Sequence, residues 1–477
     1  MNYGVILNVL GGLLRFLGLI MIVPLLVAFY YGDSLYPFLV AVLVTGGIGT
    51  LFLKRYGASD EWKIREGFAI VAFGWLAAAV FGSIPFMLDG ISPINAVFES
   101  MSGFTTTGAT VLLDIEAHSR SILFWRSMTQ WIGGMGIIML FIAILPKLGV
   151  AGRQLFRAEA PGPTEDKLKP RIRETAKILW LVYFFISLAE VVALLLAKMS
   201  LYDAVTHTFT TMACGGFSPY AQSIAAFNSP LIEGIITLFM FIAGANFALH
   251  YRTLYTDRSS LLKDDEFKFY SLVVIIATLI LTLSLWTYMG ETILTSFRYA
   301  VFQVVSITTT TGFATVDFNL WTDSAKVVLL AVMFIGGCAG STSGGIKVVR
   351  VLLLFKYAKR ALFKSIHPKA VKPIKFNNKA VPDDVMQAIV SFVVIYIMIF
   401  AISAGLLSLM GMDLISSITS SIATLGNIGP GFGVVGPMAS FDGVPFLGKL
   451  LLIANMWIGR LEVFTVIVLF TPEFWKR

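Results

Sequence analysis

Charge is what this sequence has least of: Asp, Glu, Lys and Arg make up 13% of 477 residues, against 57% hydrophobic ones. A water-soluble domain carries about a quarter charged residues, so a mean hydropathy of +0.82 excludes an ordinary globular surface and makes lipid the solvent for most of the chain. Histidine is scarce as well, and His118, His207, His250 and His367 show no metal-ligand spacing. Cys214 and Cys338, the only cysteines, lie in apolar or Gly-rich surroundings, which excludes a disulfide framework and a zinc motif. The formal net charge of +8 does not call for nucleic acid, because Lys and Arg confined to cytoplasmic loops give the same excess.

What the chain has instead is long apolar runs. A helix needs about 20 apolar residues to cross a hydrocarbon core roughly 30 Å thick. Ten segments qualify, near 5–29, 35–53, 67–88, 122–145, 178–197, 231–249, 269–289, 325–357, 385–410 and 446–470. The first is longer than a signal-peptide core and lacks a small-residue cleavage site, so it reads as a retained helix.

With the amino terminus inside, the cytoplasmic loops hold Lys54, Arg55, Lys63, Arg65, the basic stretches in 147–177, 250–268 and 347–379, and Lys476 and Arg477. This bias sets both termini in the cytoplasm. The opposite face is acidic, with Asp33, Asp89, Glu99, Asp114, Glu116, Asp203, Glu291, Asp317, Asp323, Asp413 and Asp442. Such a rim would concentrate cations at a mouth; acids also collect wherever bases are removed, and both readings stand.

Between successive pairs of spans on the outer face lies a shorter, half-apolar stretch ending in small residues. Ala96-Val97-Phe98 precedes Gly108 at the same offset as Ala204-Val205-Thr206 precedes Gly216, Ala300-Val301-Phe302 precedes Gly312, and Ser417-Ile418-Thr419 precedes Gly429. The tips read Thr106-Thr107-Gly108, Cys214-Gly215-Gly216, Thr310-Thr311-Gly312 and Asn427-Ile428-Gly429. The following spans repeat too, through Trp131-Ile132-Gly133-Gly134, Phe241-Ile242-Ala243-Gly244, Phe334-Ile335-Gly336-Gly337 and Trp457-Ile458-Gly459-Arg460. Irregular backbone at membrane depth is tolerated only when packed in protein or lining a watery cavity, so the four tips must converge. Carbonyl oxygens aimed at one axis replace the water shell of a monovalent cation, and glycine supplies the left-handed dihedrals this needs. The expected fold is all-α and transmembrane: an N-terminal hairpin (1–66) and four parallel helix–pore loop–helix repeats (67–146, 175–255, 268–362 and 383–471) in a pseudo-fourfold array around a central pore.

The segments Gly103-Phe104-Thr105-Thr106-Thr107-Gly108-Ala109, Gln130-Trp131-Ile132-Gly133-Gly134-Met135-Gly136, Thr309-Thr310-Thr311-Gly312-Phe313 and Gly426-Asn427-Ile428-Gly429-Pro430-Gly431 resemble the Trk/Ktr/HKT family of K⁺ transporters over nearly the whole chain. The N-terminal hairpin and the basic segment 347–382 are most similar to the membrane subunit of the Trk system. The resemblance implies K⁺ uptake across the plasma (cell inner) membrane, a homodimer with one pore per subunit, and a cytosolic TrkA-like nucleotide-binding partner. It implies no cofactor bound by this chain, K⁺ being the transported ion. It places K⁺ among the carbonyls of Thr106, Thr107, Cys214, Gly215, Thr310, Thr311, Asn427 and Ile428, with Gly108, Gly216, Gly312 and Gly429 holding the bends. Cys214 departs from the threonine of copies one and three and cannot supply a hydroxyl to brace its loop.

The third repeat's second helix is interrupted by the run 336–345, which holds Gly336, Gly337, Gly340, Gly344 and Gly345. A kink needs one or two glycines, so this run reads as an intramembrane gating loop beneath the filter. Arg460 stands where the sister repeats have Gly134, Gly244 and Gly337. An arginine at that depth costs about 2.5–3.5 kcal/mol on insertion scales and should face the cavity, either as an electrostatic barrier bonded to loop carbonyls at 338–343 or in an ion pair with Glu462. The resemblance assigns the matching arginine the barrier role. Lys347 and Arg350 are expected to reach headgroups or the cytosolic partner, or simply to snorkel.

Rival classes fare worse. Gly431-Phe432-Gly433-Val434-Val435-Gly436 matches a dinucleotide fingerprint but follows Pro430 in a pore loop, and Gly344-Gly345-Ile346-Lys347 lacks the Gly-Lys-Ser/Thr of a P-loop, so an enzyme is not expected. An alternating-access symporter predicts inverted repeats and a paired midplane acid. The repeats here run parallel, and Glu190 and Glu462 form no matched pair. Passive, H⁺-coupled and Na⁺-coupled flux all remain open.

Overall fold

The structure, a computed structural model, describes residues 1–57, 64–144, 172–290 and 292–475. Lys63, most of the basic stretch 147–177, Glu291, Lys476 and Arg477 lie outside the described residues. Among the described residues, strand is confined to a two-residue antiparallel pair, Lys375–Phe376 against Lys379–Ala380; the other long elements are helices.

α1 (Tyr3–Ile20) runs on into α2 (Ile22–Tyr31), and the chain returns as α3 (Tyr36–Arg55). α1 and α3 meet backbone to backbone: a Cβ on Gly49 would lie 2.5 Å from the Arg15 amide. Small residues permit such approach, the usual way apolar helices associate where hydrophobic attraction between them is weak.

Four units follow, each a long helix, a short re-entrant helix and a second long helix. The first is α4 (Ile64–Gly82) with its extension α5 (Ile84–Leu88), then α6 (Pro93–Phe104) and α7 (Arg120–Ile144). The second is α8 (Ile172–Leu196), α9 (Leu201–Met212), α10 (Pro230–Ala243) and α11 (Phe247–Tyr255). The third is α12 (Asp265–Met289), α13 (Ile293–Thr308), α14 (Asp323–Met333) and α15 (Val348–Ile366). The fourth is α16 (Asp383–Leu409), α17 (Leu414–Leu425), α18 (Phe446–Arg460) and α19 (Phe464–Ile467).

Among the described residues six helices are long and apolar enough to cross a membrane, and two bent pairs raise the number to eight. The 25-residue α7 and the interrupted α14 and α15 stand where the other two expected spans lie. Polarity is inverted relative to a soluble protein. Leu26, Phe29, Leu43, Leu196 and Leu409 are exposed, whereas Thr105, Thr107, Thr309, Thr311, Ser420 and Ser421 are fully buried around the centre.

The second helices of units two and four break as well as that of unit three. α10 and α11 meet at 97°, and α18 bends by 114° into the segment Phe464–Phe470. The sequence reading expects plain spans there. The freed backbone groups find partners on remote segments: Gly244 O accepts from the Cys338 amide (2.8 Å), and Gly340 O accepts from the Phe247 amide (3.1 Å). Asn246 caps α11 through its side chain (2.9 Å to the Ala248 amide). Such pairing removes the penalty for irregular backbone in lipid.

Candidate ion-conduction site

Each of α6, α9, α13 and α17 ends one or two residues before a loop tip, so four helix C-termini abut one region. Each carries about half a negative elementary charge from its aligned peptide dipoles, a field that favours a cation. The tips share one backbone. Thr106, Cys214, Thr310 and Asn427 have φ of 51°, 54°, 58° and 53°, and Gly108, Gly216, Gly312 and Gly429 have φ of 84°, 72°, 82° and 99°. Left-handed backbone at non-glycine residues is uncommon and costly, and its recurrence at one position in four loops marks a common constraint.

Hydrogen bonds stabilise that backbone in the same way each time. The residue before each glycine donates its amide to a carbonyl five residues back on its own helix: Thr107 to Ser102, Gly215 to Thr210, Thr311 to Ser306 and Ile428 to Ala423, all at 2.8 Å. This is the pattern of a Schellman C-cap. It turns the amides inward to the helix and leaves the tip carbonyls for the neighbouring loops.

Those carbonyls close a ring. A Cβ on Gly108 would lie 2.1 Å from Gly215 O, on Gly216 1.9 Å from Thr311 O, on Gly312 2.1 Å from Ile428 O, and on Gly429 2.7 Å from Thr107 O. Each glycine faces the carbonyl of the next loop, and the fourth faces the first. The eight residues Thr106, Thr107, Cys214, Gly215, Thr310, Thr311, Asn427 and Ile428 are thus brought together, each buried from bulk solvent.

Loops one and three are braced from behind by the residues flanking the left-handed one, which differs from the sequence expectation that the left-handed position itself supplies the bracing hydroxyl. Thr105 and Thr107 share a hydroxyl contact of 2.8 Å, as do Thr309 and Thr311. In loops two and three the left-handed residue points below: the Thr310 hydroxyl accepts from the Gly344 amide (2.7 Å), and Cys214 Sγ lies 3.2 Å from the Thr342 hydroxyl. The thiol therefore costs its loop no brace. The Gln130 side chain on α7 reaches loop two, donating to Gly215 O (2.7 Å) and accepting from the Phe217 amide (3.1 Å).

The segment 336–347 folds under this ring. A Cβ on Gly336 would lie 2.4 Å from Gly344 O, and one on Gly344 2.3 Å from Gly426 O at the base of loop four. The segment doubles back on itself and presses against the tips, with Gly337 and Gly345 at the same closure. The Thr342 hydroxyl donates to Met212 O (2.8 Å), and Glu266 accepts from the Ala339 amide (2.6 Å). Arg460, 2% exposed, donates from one guanidinium nitrogen to Thr342 O (2.8 Å) and from another, at the limit of reach, to Gly133 O (3.5 Å).

Glu462 does not pair with Arg460; it holds Arg350, whose guanidinium also stands 4.0 Å from the Phe392 ring centroid. Lys347 donates to Ser343 O (2.7 Å). Lys347 and Arg350 are both buried, so the expectation that they reach headgroups or a partner is corrected. The signal for Arg350 lies 112 residues away in Glu462, beyond what local spacing reveals.

The acidic rim is largely structural. Glu99 is buried against Arg126 (2.6 Å), Asp89 meets His118 (2.6 Å), Asp442 holds Lys449 (3.2 Å), Asp203 accepts from the hydroxyl of Ser200 (2.7 Å), which caps α9, and Asp413 caps α17. Arg126 also donates to Ser218 O (2.8 Å), tying the outer parts of loops one and two together. Among the described residues no three His, Cys, Asp or Glu side chains are grouped to hold a metal ion.

Comparison with known proteins points the same way. The family model for TrkH, a cation transport protein, matches residues 40–477. The Trk system potassium uptake protein TrkH of Salmonella typhimurium is 43% identical, covering 97% of this chain and all of the relative; that of Halomonas elongata is 41% identical over the whole of both. The crystal structure of the potassium transporter TrkH from Vibrio parahaemolyticus superposes with a TM-score of 0.91 over the whole of both chains at 38% identity. A four-loop carbonyl ring with a glycine-rich segment beneath it, in a chain that matches this family from end to end, makes the protein a member of the TrkH family of cation transport proteins.

Proposed function

We propose that this protein carries K⁺ into the cell through the ring of four loops, in the plasma (cell inner) membrane with both termini in the cytoplasm. The observation that carries the reading is the cyclic contact of each filter glycine with the next loop's carbonyl. Oxygen atoms held by backbone at fixed spacing can replace the hydration shell of an alkali cation, and four helix C-termini add a favourable field. K⁺ is the substrate, bound by the carbonyls of Thr106, Thr107, Cys214, Gly215, Thr310, Thr311, Asn427 and Ile428. The units are bounded near 1–66, 67–146, 175–255, 268–362 and 383–471.

Below the ring, the segment 336–345 and Arg460 form the gate. Support comes from their position: the segment bonds directly to loops two and three, and the guanidinium is anchored on its Thr342 carbonyl. The same reading includes a second copy of the chain and a cytosolic TrkA-like nucleotide-binding subunit that biases the gate from inside, on the strength of the family.

Rubidium-86 uptake into liposomes tests the core of this. Uptake should be suppressed by external K⁺ and unlabelled Rb⁺ and little affected by equal Na⁺ or Li⁺. Equal suppression by Na⁺ removes the claim of selectivity, and no uptake removes conduction.

A further inference from the structure

The ring departs from fourfold symmetry at two places that touch each other. The residue before the filter glycine carries a side chain in three loops, Thr107, Thr311 and Ile428, but is Gly215 in loop two. On the second long helices, the residue before the aligned aromatic is Met240, Met333 and Met456 in three units, all fully buried, but Gln130 in the first. The polar outlier and the missing side chain meet. Gln130 Nε2 donates to Gly215 O at 2.7 Å, and its Oε1 accepts from the Phe217 amide at 3.1 Å.

Sterics make the pairing exclusive. A Cβ on Gly215 would lie 2.4 Å from Gln130 Cδ and 2.5 Å from its Oε1, closer than any real contact allows. The space holds either the glutamine amide or a side chain at 215, not both. Gln130 thus takes over, from a different helix, what the loop's own side chain supplies elsewhere. One amide grips a carbonyl and an amide two residues apart, as a strand would, and fixes the tip on both sides of Gly216.

Resting on the reading of the ring as a K⁺ filter, we propose that Gln130 is a positioning residue for selectivity in the second quadrant. A carbonyl oxygen has two lone pairs. The bond from Gln130 occupies one and leaves the other for the ion, so Gly215 O is held at a set radius and cannot follow a smaller cation inward. Phe217 N, pinned by the same amide, keeps the peptide from rotating.

The test is rubidium-86 uptake in liposomes with Na⁺ and K⁺ competitors for wild type, Gln130→Met and the double variant Gln130→Met with Gly215→Thr. Gln130→Met should conduct but lose K⁺ over Na⁺ discrimination on the order of tenfold, the factor one buried hydrogen bond represents. The double variant rebuilds the sister-unit pattern and should recover most of it. Should Gln130→Met fail to assemble, the double variant decides alone. Wild-type discrimination in Gln130→Met, or a double variant that discriminates no better than a Na⁺-permeable one, overturns the proposal. Loss of discrimination in wild type itself would instead strike the filter reading.

Discussion

Replacing Arg460 with Ala should open the pathway. The guanidinium is buried, and among the described residues no carboxylate forms an ion pair with it, Glu462 being engaged with Arg350. Its hold on the segment beneath the ring is one good charge-assisted hydrogen bond, to Thr342 O at 2.8 Å, and one at the limit, to Gly133 O at 3.5 Å. Only the first merits full weight, about 1.5–3 kcal/mol. At 1.4 kcal/mol per decade, that shifts the balance between closed and open segment by roughly 10- to 150-fold toward open. Observed flux gains will be smaller wherever wild type is already partly open. The measure is the initial rate of rubidium-86 uptake into proteoliposomes without a cytosolic partner. Arg460→Lys, which keeps a positive charge but offers a single point donor, should fall between wild type and Arg460→Ala. Unchanged or reduced flux in Arg460→Ala, from protein with a normal elution profile and unfolding temperature, would refute the gate.

Gly216→Ala should abolish uptake while leaving the fold, because its Cβ would lie 1.9 Å from Thr311 O; transport and detergent elution, measured together, separate the two effects. Arg350→Met should destabilise by about 1.5–3 kcal/mol by leaving the part-buried Glu462 without its charge-assisted hydrogen bond, and Arg350→Met with Glu462→Gln should recover much of that in thermal unfolding. Asp413, outside the membrane at the start of α17, is held below the ordinary aspartate range by hydrogen bonds from the Ser416 hydroxyl and amide. Its contribution is complete above the unfolded-state value and is lost as pH falls through the lower folded-state one. Asp413→Asn should flatten that acid-limb dependence of unfolding temperature, and Asp413→Ala should cost about 1 kcal/mol at neutral pH.

The four loop tips are legible in the sequence because their geometry admits little else. A carbonyl ring needs a left-handed residue at Gly108, Gly216, Gly312 and Gly429, each pressed against a neighbour's oxygen, and only glycine meets both demands. The run 336–345 is legible for a related reason: five glycines leave no stable helix. What stays hidden depends on partners far along the chain. The bend at 244–246 is stabilised by Cys338 and Gly340, and the buried Arg350 by Glu462. Neither has a local signature, so a hydropathy window sees two straight spans and two surface cations.

The same distinction explains where the symmetry is broken. Conduction demands a shared backbone among the loops, and φ at the first tip residue, Thr106, Cys214, Thr310 and Asn427, runs only from 51° to 58°. Gating demands one element that can move, which four equal units cannot supply. Apart from the Gln130–Gly215 pair in the ring itself, these departures lie below the ring and join all four units: Thr342 of unit three bonds Met212 and Cys214 of unit two, Arg460 of unit four holds Thr342, and Gly133 of unit one stands at the limit of the same guanidinium. Motion of one short segment then alters contacts in every quadrant.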